Sequence, residues 1–241
     1  MIIVTGGAGF IGSNFILKFL EASNENLLNL DNLSYAANLS NLKPIDTDPR
    51  YSFTKINIQN QSEVEEIVKE VKPRAILNFA AESHVDRSIE GPESFINTNI
   101  LGTYSLLEAA LNYWNDLDES GKKIFRFFHI STDEVFGSLD INDKKSTEES
   151  SYKPNSPYSA SKAASDHLVR AWHHTFKLPT LVSNCTNNYG PHQHEEKLIP
   201  LIITKALKND NLPIYGDGKN IRDWLYVEDH CEAIMKILEN G

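Results

Sequence analysis

The chain has 241 residues, 40% of them hydrophobic and 23% charged, a composition ordinary for a globular protein with a substantial core. Its 33 acidic residues outnumber the 23 basic ones, and the formal net charge of −10 argues against a nucleic-acid binder, which needs a basic face to meet phosphate. Cys185 and Cys231 are the two cysteines, with no CxxC pair, so neither a disulfide framework nor a zinc site is indicated.

Met1 leads directly into Ile2-Ile3-Val4 and a run of glycines, without the basic and apolar regions of a signal peptide. No apolar run is long enough to cross a bilayer, so the expectation is a cytoplasmic protein with no membrane partner. Short β-type runs alternate with helix-period segments, the pattern of an α/β, doubly wound parallel sheet of Rossmann type. In chain order, strands are expected at 2–4, 27–30, 51–56, 75–79, 125–130 and 180–182. Helices are expected between them at 11–21, 62–71, 92–114 and 157–176, the last two opening on Pro92 and Pro157, where proline is tolerated. The charged, proline-containing stretch 140–156 reads as a surface loop, and the polar stretch 184–196 as a functional or linking loop. A helix at 197–208, a short strand at 213–215 and a final helix at 227–239 complete the chain. The division expected is a cofactor domain over 1–183 and a partial substrate-binding region over 184–241.

Gly6-Gly7-Ala8-Gly9-Phe10-Ile11-Gly12 lies between the first strand and the first helix, where a dinucleotide turn must lie. Glycine permits the tight turn, the approach of backbone to pyrophosphate, and close packing of helix on strand, while the helix N-terminus offers free N–H groups to phosphate. The GxxGxxG spacing is the variant found in extended short-chain dehydrogenases. Asp31, nineteen residues past Gly12 at the end of the second strand, is placed to accept the adenosine ribose hydroxyls and repel a 2′-phosphate, which favours NAD over NADP.

Tyr158 and Lys162 are four residues apart on a helix, so both side chains share one face. The tyrosine is a candidate base for hydride transfer, with the lysine ammonium favouring its phenolate and free to hold the nicotinamide ribose. Thr132 ends the fifth strand and supplies a hydroxyl beside the tyrosine. Asp133 and Glu134 follow it, a pair suited to a reaction needing a general acid and a general base. Adjacent strand residues face opposite ways, so the backbone must leave strand geometry here if both carboxyls are to meet one substrate. His192-Gln193-His194-Glu195 has no distant partner ligands and is not read as a metal site. His84 reads as support near the cofactor, and His173-His174 as partners of the last-turn carbonyls of their helix.

With these motifs, the strings Ala80-Ala81-Glu82-Ser83-His84-Val85-Asp86, Ser131-Thr132-Asp133-Glu134-Val135-Phe136-Gly137, Asn187-Asn188-Tyr189-Gly190-Pro191 and Asn220-Ile221-Arg222-Asp223-Trp224 resemble the dTDP-glucose 4,6-dehydratases, a family of extended short-chain dehydrogenase/reductases. The resemblance runs the length of the chain, and the family's chains continue beyond the position of Gly241. It implies that Tyr158, helped by Thr132 and Lys162, takes the sugar C4 hydroxyl proton as hydride leaves C4 for NAD. Glu134 would then remove the C5 proton while Asp133 protonates the departing C6 hydroxyl, and hydride returns to C6. It implies NAD contacts at Gly6, Gly9, Phe10, Ile11, Gly12, Asp31, Asn32, Leu33, Ser34, Phe79, Ala80, Ala81, Thr98, Tyr158, Lys162 and Asn188. Asn57-Ile58 stands where the family usually has an Asp-Ile pair against adenine, and asparagine retains an acceptor for it. Phe136 replaces a tyrosine. Sugar-nucleotide contacts are implied at Ser83, Thr132, Asn187, Lys197, Leu198, Pro213, Ile214, Tyr215 and Arg222, the guanidinium being suited to a diphosphate. A homodimer through helices 92–114 and 157–176 is also implied. A nucleotide-sugar 4-epimerase, which needs the Tyr/Lys pair but not the two carboxylates, and a catalytically silent NAD-binding fragment are the alternatives.

Overall fold

The computed structural model describes residues 1–140, 142–214 and 216–241. Among them, β1 (Ile2–Thr5), β2 (Leu27–Asp31), β3 (Tyr51–Lys55), β4 (Ala75–Asn78), β5 (Arg126–Thr132) and β6 (Thr180–Cys185) form one parallel sheet. Its order is β3-β2-β1-β4-β5-β6, with Ile2 in register with Leu27 on one side and Ala75 on the other. The chain reverses its direction of winding beside β1, so a crevice opens at the C-terminal ends of β1 and β4, where such sheets bind ligands.

Both faces of the sheet are covered, which explains why its central strands are apolar almost throughout. Ile2 and Val4 point to one face and join Phe15, Ile16, Leu27, Leu77 and Phe128. Ile3 points to the other and joins Leu28, Leu30, Ile76, Leu106 and Phe127. The first face is covered by α1 (Phe10–Ala22) and by the last helix, α9 (Val227–Asn240), which returns from the C-terminal region to bury Val227, Cys231, Ile234 and Leu238 there. The second is covered by α2 (Gln61–Val71), α5 (Thr103–Asp116) and α7 (Pro157–Phe176). Full burial of each of the large side chains in β1 is worth about 1.5–3 kcal/mol, so the strand carrying the glycine turn is firmly anchored.

Helix α7 occupies the span expected of it. Ser156 caps it in a capping box with Ser159, Pro157 fills its first turn, and Lys177 ends it in the left-handed region at φ 64°. The segment at 92–114 is instead broken. Pro92 caps α4 (Glu93–Phe95), a widened π turn covers Ile96–Gly102, and α5 follows, with α3 (Val85–Glu90) before them and α6 (Glu119–Ile124) after. The widened turn holds buried Asn99, whose amide exchanges two hydrogen bonds with the Glu82 backbone at 2.9 and 3.0 Å and donates to Ser161 Oγ at 2.8 Å.

Three further expectations need correction. The loop at 184–196 contains β7 (Asn187–Tyr189), which pairs in parallel with β8 (Trp224–Tyr226); α8 (Leu198–Leu207) lies between them. Pro213 and Ile214 are not in a strand: Ile214 is 77% exposed, and β propensity counts for little without a neighbouring strand to pair with. Tyr215 lies outside the described residues. His173 faces the Leu178 carbonyl beyond the helix at 3.1 Å, and His174 faces Arg170, so neither serves the last-turn carbonyls. The described residues of 140–156 form neither helix nor strand, as expected of a loop. Among the described residues no helix is long and apolar enough to cross a membrane.

Candidate active site

A cleft of about 640 Å³ opens along the C-terminal ends of β1, β4 and β5. Its first part is built by the glycine turn. Gly6 has φ 71°, and a Cβ there would fall 2.6 Å from the Ala80 nitrogen, so the turn closes only without a side chain. Gly9 caps α1 without a side-chain partner, leaving the first N–H groups of the helix to face the cleft. A Cβ on Gly9 would meet little but the Gly6 oxygen at 3.3 Å and would otherwise stand in open cleft. This cradle fits a pyrophosphate, with the helix dipole favouring its charge.

Asp31 closes the far end of the cradle. Its carboxylate accepts from Ala8 N at 2.9 Å and Leu33 N at 2.8 Å, which fixes its orientation. Burial raises its pKa, while these two backbone bonds work in the opposite direction. Asn32, Ser34, Ile58, Phe79, Ala80, Ala81, Thr98 and Asn188 also line the cleft, as do Phe10, Ile11 and Gly12. Two residues expected on NAD do not line it. Leu33 contributes its N–H to Asp31, and the Asn57 side chain is taken up locally by Gln59 N at 3.0 Å. Asn188 is held from behind. Burial takes His230 down to about 4, and this neutral imidazole pairs through Nδ1 with Asn188 Oδ1 at 2.8 Å.

The second part lies where β5 ends. Thr132 is still extended, but the next residues form a 3₁₀ turn, Asp133–Phe136, capped by Thr132 Oγ1 accepting from Glu134 N at 3.2 Å. The backbone thus leaves strand geometry at the position the sequence requires, and both Asp133 and Glu134 line the cleft. Burial raises both carboxyl pKa values. The Asp133 charge raises that of Glu134 further, whereas Arg222 and Lys197 pull it down. Tyr158, in the first turn of α7, sits edge-on to Phe95 with centroids 6.3 Å apart.

Lys162 is 3% exposed; it donates to the Ile130 carbonyl at 2.8 Å and lies 3.2 Å from His129 Nε2. Burial lowers its pKa to about 8. Its Nζ is turned toward the β5 backbone, and Tyr158 lines the same cleft. Burial pushes the phenol well above its usual range, Glu134 adds to this, and the Thr132 hydroxyl opposes it.

The third part is the mouth. Ser83, Asn187, Lys197, Leu198 and Arg222 line it, and Lys197 Nζ donates to the Ser83 carbonyl at 3.1 Å. Pro213 and Ile214 do not line it. Sequence reasoning missed Glu196, which draws three segments together. It accepts from Tyr35 Oη at 3.1 Å and Arg87 Nη2 at 3.2 Å, with Arg87 stacked 3.8 Å over the Tyr35 ring. Only its place beside Lys197 hinted at this. His84 caps α3 through Nδ1 and lies 3.8 Å from Glu196 through Nε2, which suits the supporting role expected of it.

The GDP-mannose 4,6 dehydratase family model matches residues 3–241. The chain is 54% identical to the dTDP-glucose 4,6-dehydratase of Haemophilus influenzae over 240 residues, covering 100% of this chain and 71% of that protein. A crystal structure of dTDP-glucose 4,6-dehydratase from Bacillus anthracis in complex with NAD superimposes with a TM-score of 0.89 at 46% identity, over 100% of this chain and 72% of that one. That of DesIV, a dTDP-glucose 4,6-dehydratase from Streptomyces venezuelae with NAD and TYD bound, gives a TM-score of 0.92 at 44% identity and the same coverage.

Proposed function

The chain belongs to the dTDP-glucose 4,6-dehydratase family, and we propose that it dehydrates dTDP-glucose to dTDP-4-keto-6-deoxyglucose with NAD held in the cleft. One observation carries the reading to the level of residues: the 3₁₀ turn after β5 brings Asp133 and Glu134 onto the same cleft as Tyr158 and Lys162. An epimerase needs only the latter pair. Bound NAD supplies the chemistry of accepting the C4 hydride and giving it back at C6.

The side chains divide the proton work. Tyr158 takes the C4 hydroxyl proton, with Thr132 bonding the same oxygen. Glu134 takes the C5 proton made acidic by a ketone at C4, and Asp133 gives its proton to the leaving C6 hydroxyl. Lys162 holds the nicotinamide ribose. Asp31 accepts the adenosine ribose hydroxyls, and Arg222 with Lys197 grips the diphosphate and sugar. Residues 1–183 carry most of the cofactor side and the segment before α9 part of the substrate side, while α9 packs back on the sheet. Ile89, Ile96, Leu101 and Tyr104 are 66%, 49%, 50% and 38% exposed along α3 to α5, an apolar face that supports a homodimer through this surface and α7.

Incubation of the purified chain with dTDP-glucose tests the reading. A product lighter by one water, with the alkaline absorbance of a 4-keto sugar, is expected. Release of the galactose epimer instead places the chain among the epimerases, and retention of NAD without sugar conversion makes it a binding module. With Glu134→Gln or Asp133→Asn, oxidation at C4 should survive better than water loss. Equal loss of both steps overturns the division of labour.

A further inference from the structure

Behind Lys162 the protein buries a second ionisable pair that the proposed chemistry does not use. Asp166 is one helical turn after Lys162 on α7 and is 4% exposed; His129, on β5, is 1% exposed. Asp166 Oδ2 is saturated by donors from three directions: Ser131 Oγ at 2.9 Å, Tyr152 Oη at 2.9 Å and Asn184 Nδ2 at 3.1 Å. Among the described residues, buried Oδ1 has no hydrogen-bond partner, and His129 Nε2 at 3.4 Å is its ion-pair neighbour. The same Nε2 lies 3.2 Å from Lys162 Nζ, so one imidazole nitrogen stands between ammonium and carboxylate. The other nitrogen, Nδ1, is 3.1 Å from the Asn78 amide. A buried carboxylate with one oxygen given over to three donors and the other facing His129, beside Lys162, is costly to maintain unless it balances a charge.

We propose that Asp166, packed behind His129, is the buried counter-ion that keeps Lys162 cationic while it grips the cofactor. The inference rests on the reading of Lys162 given above. Asp166 is therefore a positioning residue: it touches neither sugar nor cofactor. The other groups facing Lys162 do not serve this purpose. Tyr158 on α7 and Cys185 on β6 are both pushed toward their neutral forms by burial, the thiol to about 12. Asp133 and Glu134 lie along the cleft and have the substrate to meet. Burial lowers the lysine and raises Asp166, and each is the main charge opposing the shift of the other. His129 is held well below its usual range by burial and stays neutral. Because its Nδ1 faces the Asn78 amide donor, Nε2 carries the proton and points it toward Asp166 Oδ1, so the carboxylate acts on Lys162 through its field.

The test is a titration of NAD affinity, read by protein fluorescence from about pH 6 to 10. The wild-type chain should lose affinity as Lys162 deprotonates near pH 8. Asp166→Asn keeps the shape and an acceptor for Ser131, Tyr152 and Asn184 but removes the charge. Its alkaline midpoint should move down by about one pH unit, with affinity at pH 6 little changed. Lys162→Arg, which stays charged, should abolish the alkaline limb with or without Asp166→Asn. A midpoint in Asp166→Asn that coincides with the wild type overturns the proposal, as does a limb that persists in Lys162→Arg. Should Asp166→Asn not fold, Asp166→Ser, which also removes the charge, decides by the same midpoint. Because the readout is cofactor affinity, a chain that binds NAD without dehydrating dTDP-glucose would sink the proposed activity while leaving this inference to its own result.

Discussion

The two walls of the cleft are built differently. On the cofactor and chemistry wall, Asp31, Thr132 and Lys162 are 6%, 8% and 3% exposed and sit at the ends of strands or inside a capped helix. On the opposite wall Arg222 is exposed, and its Nη1 donates to the carbonyl of its own neighbour, Ile221, at 2.9 Å. Ile214 and Ile221 beside that wall are each 77% exposed. Groups that must be aligned with reacting atoms are thus preorganised by regular elements and buried hydrogen bonds. Groups that grip a charged ligand lie on connecting segments whose local stability is low and whose side chains are free to adapt.

This contrast makes mutations on the two walls fail in different ways. The largest effect is expected at Tyr158→Phe, which removes the acid–base group while keeping the ring against Phe95: kcat should fall by roughly a thousandfold, with NAD still bound and thermal unfolding unchanged. A variant that loses NAD as well would show that the wall is held together by the hydroxyl. Gly12→Ala comes next. A Cβ there collides with the Gly6 carbonyl oxygen and lies 2.9 Å from the Gly7 Cα, so NAD affinity in an equilibrium titration should fall at least about tenfold. On the gripping wall, Arg222→Ala should raise KM for the sugar nucleotide by about tenfold, the value of a charge-assisted hydrogen bond, and leave kcat nearly intact. An equal fall in kcat would mean that this wall too is aligned with the reacting atoms.

Arg222 also couples the walls, because it pulls the Glu134 pKa down against burial and the Asp133 charge. As a base Glu134 must be ionised, so kcat should rise with pH through a midpoint above the ordinary glutamate value near 4.3. Arg222→Ala should move that midpoint further up, and an unmoved acid limb would uncouple the two. The smallest effect is on stability. A carboxyl whose folded pKa is raised favours folding in its protonated form, and that advantage is lost as pH rises through the unfolded and then the folded value. Glu134→Gln should therefore unfold at a slightly higher temperature than the wild type at pH 7 to 8, a gain of a few degrees or less. The difference should vanish below about pH 4.

Much of this was legible in the sequence for local reasons. The glycine turn, Asp31, and the Tyr158–Lys162 pair depend on spacing within a few residues or on a strand end. Helix 157–176 announced itself through Pro157 and its periodicity. The 3₁₀ turn at Asp133 followed from a geometric demand: two adjacent carboxyls meet one ligand only if the strand ends between them and Thr132. Where the reading failed, the deciding contact was distant. Asn99 opens its helix into a π turn to serve Glu82 and Ser161, and nothing at 92–114 encodes that partner. The strand Asn187–Tyr189 exists because Trp224–Tyr226 lies beside it, and Pro213-Ile214 lacks such a neighbour.

Side-chain periodicity and backbone permissiveness act over a few residues, and so the order of strands and helices, the dinucleotide turn and the acid–base residue types could be read from the chain alone. Where a charged or polar group is directed once buried depends on which partners the fold brings within 3 Å or so, and those come from any distance along the chain. Tertiary structure alone turned Lys162 toward Ile130 and His129 and set Asp166 behind the site.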